Sequence, residues 1–223
     1  HAYAGNRQAM DILCRASGWF HRWTGQMTRR KMEDILDAET GGMLEVWADA
    51  YGVTGSKQHQ DLIARYTRAR LFDPLLAGRD ALTNMHANTT IPEIHGAARA
   101  YEVTGDERWR RIVEAYWACA VDHRGCCCTG GQTAGEIWTP PFEFAARRGD
   151  KNQEHCSVYN MIRLADYLFR WSGDVKYSDY IERNLYNGIL AQQHPWTGMV
   201  SYFLPLEAGA RKRWGHPLHD FWC

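Results

Sequence analysis

Along most of this chain, apolar residues recur at the three- and four-residue spacings of helices that bury one face. In EVWADAYG the stripe is Val46, Trp47, Ala50 and Tyr51. After Gly105, Asp106 stands as a candidate N-cap for a helix whose stripe includes Ile112, Ala115 and Tyr116. Four helical segments share an ending. Ala9 to Gly25 closes with HRWTG, Gly42 to Gly55 with YGVTG, His95 to Gly105 with YEVTG, and Tyr159 to Gly173 with FRWSG. A glycine there suits the left-handed position that follows a helix. A second helix usually follows, so the unit is a helical hairpin. Repeated hairpins predict an α-solenoid or a closed α/α toroid. The shared glycines at 25, 55, 105 and 173 are 30, 50 and 68 residues apart. A solenoid keeps its period; growing insertions favour a toroid whose loops build a site at one end. The expected fold class is therefore all-α.

Two stretches break the helical pattern. Residues 130–156, GGQTAGEIWTPPFEFAARRGDKNQEHC, carry Gly130, Gly131, Gly135 and the Pro140-Pro141 pair. Glycine and proline punctuate loops, so this predicts a long loop over the helical scaffold, and loops carry chemistry more often than the elements they join. After residue 195 the texture changes again. Met199 to Leu206, MVSYFLPL, is short, apolar and strand-like.

Composition narrows the function classes. The 223 residues are 45% hydrophobic, enough for a sizeable core. Lys plus Arg and Asp plus Glu both number 26, and this balance argues against a nucleic-acid partner, which would favour a basic patch. No apolar run reaches the ~18 residues of a membrane span. Aromatic residues make up 13%, with ten tryptophans; sugars stack on aromatic faces, although core filling uses the same residues. The seven cysteines, 14, 119, 126, 127, 128, 156 and 223, are an odd number in a chain too large to need a disulfide framework, so most read as thiols or metal ligands. His1-Ala2-Tyr3 reads as a mid-protein start, and both ends look cut. The compartment is not legible.

Candidate chemistry gathers around the broken stretches. Glu136 follows Gly135 and precedes Ile137-Trp138. A carboxyl among apolar and aromatic groups has a raised pKa, as a general acid needs; the plainer reading is a solvent-facing loop glutamate. Glu154, Cys156 and Cys223 offer oxygen and sulfur donors for zinc, but no CxxC pair accompanies them, and an exposed Glu beside a buried free thiol is the plainer reading. His86 and Asn88, in MHANTTIP, sit at a helix start, either as capping groups or facing a ligand. Tyr202 alternates with apolar neighbours as a half-buried strand tyrosine would. The adjacent Cys126, Cys127 and Cys128 suggest no role.

Taken together, GGQTAGE, QEHC, YNMIRLADYLF, YIERNLYNGILAQQHP, TGMVSYFLPLE and FWC, in this order, resemble the β-L-arabinofuranosidase family of glycoside hydrolases, family 127 and its relative family 146. The resemblance covers most of the chain from about residue 39 and is densest over 129–223. GGMLEV and HANTTIP look more like the family 146 branch. It implies an (α/α)6 barrel, of which residues 1–223 are part, followed by β-sandwich domains absent from this chain. It implies a zinc ion held by one Glu and three Cys, one of these thiolates being the nucleophile. Carried over, Glu136 is the acid/base, Glu154 and Cys156 are zinc ligands, Cys223 is a ligand and the nucleophile, and His86 and Tyr202 contact the sugar. The second Cys of the family's closing pair is absent because the chain ends at Cys223, so one implied zinc ligand is missing, and Gly42 stands where some members have a sugar-contacting His. The implied partner is an oligosaccharide or glycan and the implied reaction is retaining hydrolysis releasing L-arabinofuranose-type sugars. Rival readings are a related deoxy or acidic sugar, a non-catalytic carbohydrate-binding barrel, a structural zinc domain, and a hydrolase or lyase using only carboxylates, with Glu136 paired to Asp150 or Glu143.

Overall fold

The shared hairpin endings have one local cause. In a computed structural model, which describes residues 5–38, 40–124 and 133–214, the helices are α1 (Arg7–Gly25), α2 (Arg29–Ala38), α3 (Met43–Thr54), α4 (Lys57–Arg65), α5 (Ala69–Leu76), α6 (Ala87–Thr104), α7 (Glu107–Trp117), α8 (His155–Ser172) and α9 (Val175–Asn184). The pairs α3–α4, α6–α7 and α8–α9 each turn on a Thr/Ser-Gly-Ser/Asp triplet. Gly55, Gly105 and Gly173 sit at φ +61°, +71° and +68°, a backbone region costly for residues with a side chain. The preceding hydroxyl bonds back to the carbonyl four residues earlier: Thr54 to Ala50 at 2.7 Å, Thr104 to Ala100 at 2.6 Å and Ser172 to Leu168 at 2.7 Å. The residue after the glycine, Ser56, Asp106 or Asp174, caps the next helix through its side chain. HRWTG does not follow suit. Gly25 stays inside α1, and Gln26 closes that helix with ordinary right-handed angles.

The core is built on α6. Eleven of its residues are buried, including Ile91, Ile94, Gly96, Ala97 and Ala98. A helix buried on nearly every side belongs at the centre of a helical layer. It packs between α3 and α8, with α4, α7 and α9 outside them. Val46, expected in the buried stripe of α3, is 39% exposed, whereas Trp47 and Ala50 are buried: the stripe is narrower than the apolar sequence. Trp47, Trp109, Trp117 and Trp138 fill the core; Trp19, Trp23, Trp196 and Trp214 lie outward. Among the described residues no helix is long and apolar enough to cross a membrane.

The stretch expected as a long loop is partly sheet. β1 (Thr133–Ala134), β2 (Ile137–Trp138), β3 (Asn152–Glu154) and β4 (Phe203–Leu204) form an antiparallel sheet in the order β2-β1-β3-β4. Of the strand-like segment 199–206, only Phe203–Leu204 is strand. Strands two or three residues long cannot show alternation, so the sequence pattern hides them. The sheet lies across the N-terminal ends of α6 and α8, joined to them at His86 and Glu154.

Candidate active site

Glu136 is aimed by a tight hairpin. Thr133 pairs with Trp138 and Ala134 with Ile137, leaving Gly135 and Glu136 as the two-residue turn. Gly135 has φ +64°, at the first central position, where such turns favour glycine. The outer side of β2 runs along the approach to α6. Asn84 N–H donates to the Trp138 carbonyl at 3.0 Å, Trp138 N–H to Met85 at 2.9 Å, and Ala87 N–H to Glu136 at 2.8 Å. This register sets the Glu136 side chain against His86.

His86 does two things. As the N-cap of α6, its Nδ1 accepts the Thr89 N–H at 3.1 Å. That assigns the neutral ring's proton to Nε2, which donates to Glu136 Oε2 at 2.9 Å. The capping and ligand-facing readings of the HANTT block therefore both describe this residue. Asn88 turns its amide oxygen to the Asn160 amide on α8, at 2.7 Å.

Glu154 ends β3 and stands at the N-cap of α8. It is 1% exposed, and its Oε2 accepts the Ser157 hydroxyl at 3.0 Å. Before it, the strand carries a register shift, and buried Gln153 adopts φ +45°. Such left-handed angles are unfavourable outside glycine and cluster at functional sites. Asn152 braces this bulge: its amide nitrogen donates to the carbonyls of Thr133 at 2.8 Å and Arg147 at 3.1 Å, and its oxygen accepts Gly149 N–H at 2.6 Å. The sequence assigns no role to Asn152 and Ser157, and Gln153 and Thr89 enter there only as members of the QEHC and HANTTIP blocks.

Tyr202 joins the two acids. The Tyr202 carbonyl accepts His155 N–H at 3.0 Å, in the ladder where Glu154 pairs with Phe203. Its hydroxyl lies 2.7 Å from Glu136 Oε1 and 3.1 Å from Glu154 Oε1. One hydroxyl proton serves two carboxylates and favours the nearer, Glu136.

These contacts reverse the expected electrostatics of Glu136. The Tyr202 hydrogen bond holds its carboxyl below the usual carboxylate range; partial burial opposes this, and the hydrogen bond from His86 adds to it. The side chain is 41% exposed, so the apolar neighbours Ile137 and Trp138 do not desolvate it. Ile137 faces solvent and Trp138 the core. The raised value expected from the sequence is thus corrected: hydrogen bonding outweighs burial. The alternative acids stand elsewhere, Glu143 and Asp150 both being exposed and Glu143 lying 3.4 Å from Arg147.

Glu154 and Cys156 offer zinc a carboxylate oxygen and a sulfur two residues apart, a donor pair that zinc accepts. Cys156 lies in the first turn of α8, where the helix dipole favours negative charge. The pair fits the ion's chemistry and provides two of the donors a closed site requires. Cys223, Gly130, Gly131 and the Cys126–Cys128 run lie outside the described residues. A cleft of about 570 Å³, lined among others by Arg29, Asp73, Asp106 and Trp109, opens at the far, C-terminal end of α6 and shares no residue with the carboxylate cluster.

Comparison with known proteins gives these positions a context. No curated protein matches the chain. A solved structure titled "The GH127, Beta-arabinofuranosidase, BT3674" is similar in fold, with a TM-score of 0.60 and 24% identity over 74% of this chain. The match spans 27% of that structure's chain. The family described as beta-L-arabinofuranosidase, GH127 catalytic domain, matches residues 1–223 throughout, so the chain belongs to the GH127 beta-L-arabinofuranosidase catalytic-domain family.

Proposed function

We propose that this chain forms part of a retaining glycoside hydrolase that releases L-arabinofuranose-type sugars, with Glu136 as acid/base and Cys223 as nucleophile. The observation that carries the reading is the convergence of three distant segments on one carboxylate. The α6 cap His86, the hairpin turn at Glu136 and Tyr202 beside β4 meet within hydrogen-bond distance, with Glu154 on the far side of the same hydroxyl. Family membership supports the substrate class.

Retaining hydrolysis proceeds in two steps about one acid/base group. Glu136 protonates the departing glycosidic oxygen while the Cys223 sulfur attacks the anomeric carbon, forming a carbon–sulfur bond as the carbon–oxygen bond breaks. Glu136, then ionised, takes a proton from water, and the hydroxyl displaces the sulfur with a second inversion. Glu136 favours its ionised form in the free site, as the second step needs. For the first, a sugar covering its exposed face excludes water and raises its proton affinity. His86 and Tyr202 orient the carboxylate, and the Tyr202 oxygen keeps a lone pair with which to accept from a sugar hydroxyl. Glu154, Cys156 and Cys223 would hold zinc, which when bound keeps a coordinated thiol deprotonated.

The test uses the full-length protein and an aryl L-arabinofuranoside. Glu136→Gln should lower kcat by roughly 10²–10⁴-fold, the scale of acid/base assistance. Mass spectrometry with a slow substrate should find the glycosyl adduct on Cys223, and Cys223→Ser should abolish it. Unchanged turnover in Glu136→Gln, or an adduct on another residue, would overturn the assignment.

A further inference from the structure

A second cluster of metal-binding side chains lies outside the carboxylate site. After α7 the chain opens into a π-helical turn, Ala118–Asp122, closed by His123, whose N–H donates to the Ala118 carbonyl at 2.9 Å. Single π-helical turns concentrate at functional sites. Cys119 and His123, four residues apart on this turn, meet Asp80 from the segment after α5. The Cys119 sulfur, a His123 ring nitrogen and an Asp80 carboxylate oxygen all lie within 4.8 Å of one another. Among the described residues this is the one group of three or more such donors so placed.

Two features distinguish it from a chance meeting. First, Asp80 is held in place by Arg124, whose side chain is fully buried. The guanidinium donates to Asp80 Oδ2 at 2.6 Å and Oδ1 at 3.1 Å, and to the Thr139 carbonyl at 2.7 Å. Oδ1 also accepts the Leu82 N–H at 2.9 Å, so Oδ2 is the oxygen that keeps a second lone pair. A fixed outer partner of this kind orients ligating carboxylates. Second, three different donors face one point: buried Cys119 brings a sulfur, His123 a ring nitrogen and Asp80 a carboxylate oxygen. A divalent cation bound there displaces the thiol proton, which leaves to solvent.

We propose that Asp80, Cys119 and His123 form a site for a borderline divalent cation, separate from the Glu154–Cys156 pair. One oxygen, one nitrogen and one sulfur suit zinc better than calcium or magnesium, which prefer oxygen alone. Three protein donors leave a position open for water or a further ligand. The ion would tie the turn after α7 to the segment that leads from α5 into the His86 cap.

The test is cobalt(II) titration of the full chain, stripped of metal and kept reduced, in a background carrying Cys156→Ser, Cys223→Ser and serine at 126, 127 and 128. This removes the thiols of the first site and the adjacent run. The thiolate-to-cobalt charge-transfer band should persist at one equivalent. Cys119→Ala should abolish the band. His123→Ala, at a partly exposed position, should weaken cobalt binding at least about tenfold, the scale of a disturbed metal shell. Circular dichroism confirms that each variant is folded. Absence of the band in the background, or a band that survives Cys119→Ala, would overturn the site. So would cobalt affinity unchanged by His123→Ala, which still reads out should Cys119→Ala fail to fold.

Discussion

The Nε2 hydrogen of His86 points at Glu136 because the other ring nitrogen is occupied: Nδ1 takes the Thr89 amide that opens α6. The helix cap thereby decides the tautomer of a side chain in the candidate site. The two roles separate by substitution. In His86→Asn the short amide can still cap Thr89, so stability should stay within about 0.5 kcal/mol of the parent, while His86→Ala should lose about 1 kcal/mol. Both should lose the contact to Glu136 and show reduced kcat/KM. Urea unfolding beside steady-state kinetics reads the two effects apart; equal stability loss in both variants would deny the cap.

Tyr202→Phe removes the donor that most strongly holds Glu136 ionised. The Glu136 carboxyl should then titrate higher. A lowered carboxylate stabilises the fold above the ordinary range and loses that contribution as pH falls through the folded value. The alkaline limb of kcat/KM, where Glu136 must still carry the proton it gives to the departing oxygen, should therefore move upward in Tyr202→Phe. An unmoved limb would show that the hydroxyl does not set the carboxylate's proton affinity.

Gly96 marks the closest approach of α6 to α3. A β-carbon there would fall 2.4 Å from the Leu44 Cβ and 2.8 Å from the Glu45 backbone nitrogen. Backbone cannot yield as a side-chain tip can. Gly96→Ala should destabilise by about 1–3 kcal/mol or more, despite alanine's better helix propensity. Calorimetry of the folded chain checks this; a raised Tm would mean the helices stand farther apart.

Glu93 is a buried acid of the opposite kind. Burial lifts it to about 8, against the pull of Arg68 at 3.2 Å, while Asp37 and Glu33 push the same way as burial. Folded Glu93 holds a proton that the unfolded chain releases near 4.5. Stability contributed here should fall as pH rises from about 4.5 to about 8 and then level. Glu93→Gln should flatten that decline in urea midpoints measured across the window. A parallel decline in the variant would locate the effect elsewhere.

Asn152→Ala would strip partners from the Thr133 and Arg147 carbonyls and the Gly149 amide at once. The expected cost is about 1–3 kcal/mol. Because the same bulge sets Glu154, metal affinity should fall with it, readable by zinc titration.

Much of the scaffold was legible in the chain itself. Thr/Ser-Gly-Ser/Asp turns, capping residues and helical stripes are local, acting over a few residues of backbone, so YGVTG, YEVTG and FRWSG announced their hairpins. The resemblance of ordered sequence blocks pointed to the family, which the whole-chain match shows, and proposed Glu136, His86, Tyr202, Glu154 and Cys156 as candidate site residues. Tertiary structure decided what those residues do to one another. Four short strands, too brief for any periodic signal, bring Glu136 and Glu154 within reach of the Tyr202 hydroxyl and set His86 against Glu136. It also decided that Glu136 favours its ionised form, since a carboxyl's proton affinity answers to donors in space rather than to its neighbours Ile137 and Trp138. The meeting of Asp80 with Cys119 and His123 is of the same kind: a contact across some forty residues leaves no mark in either segment alone.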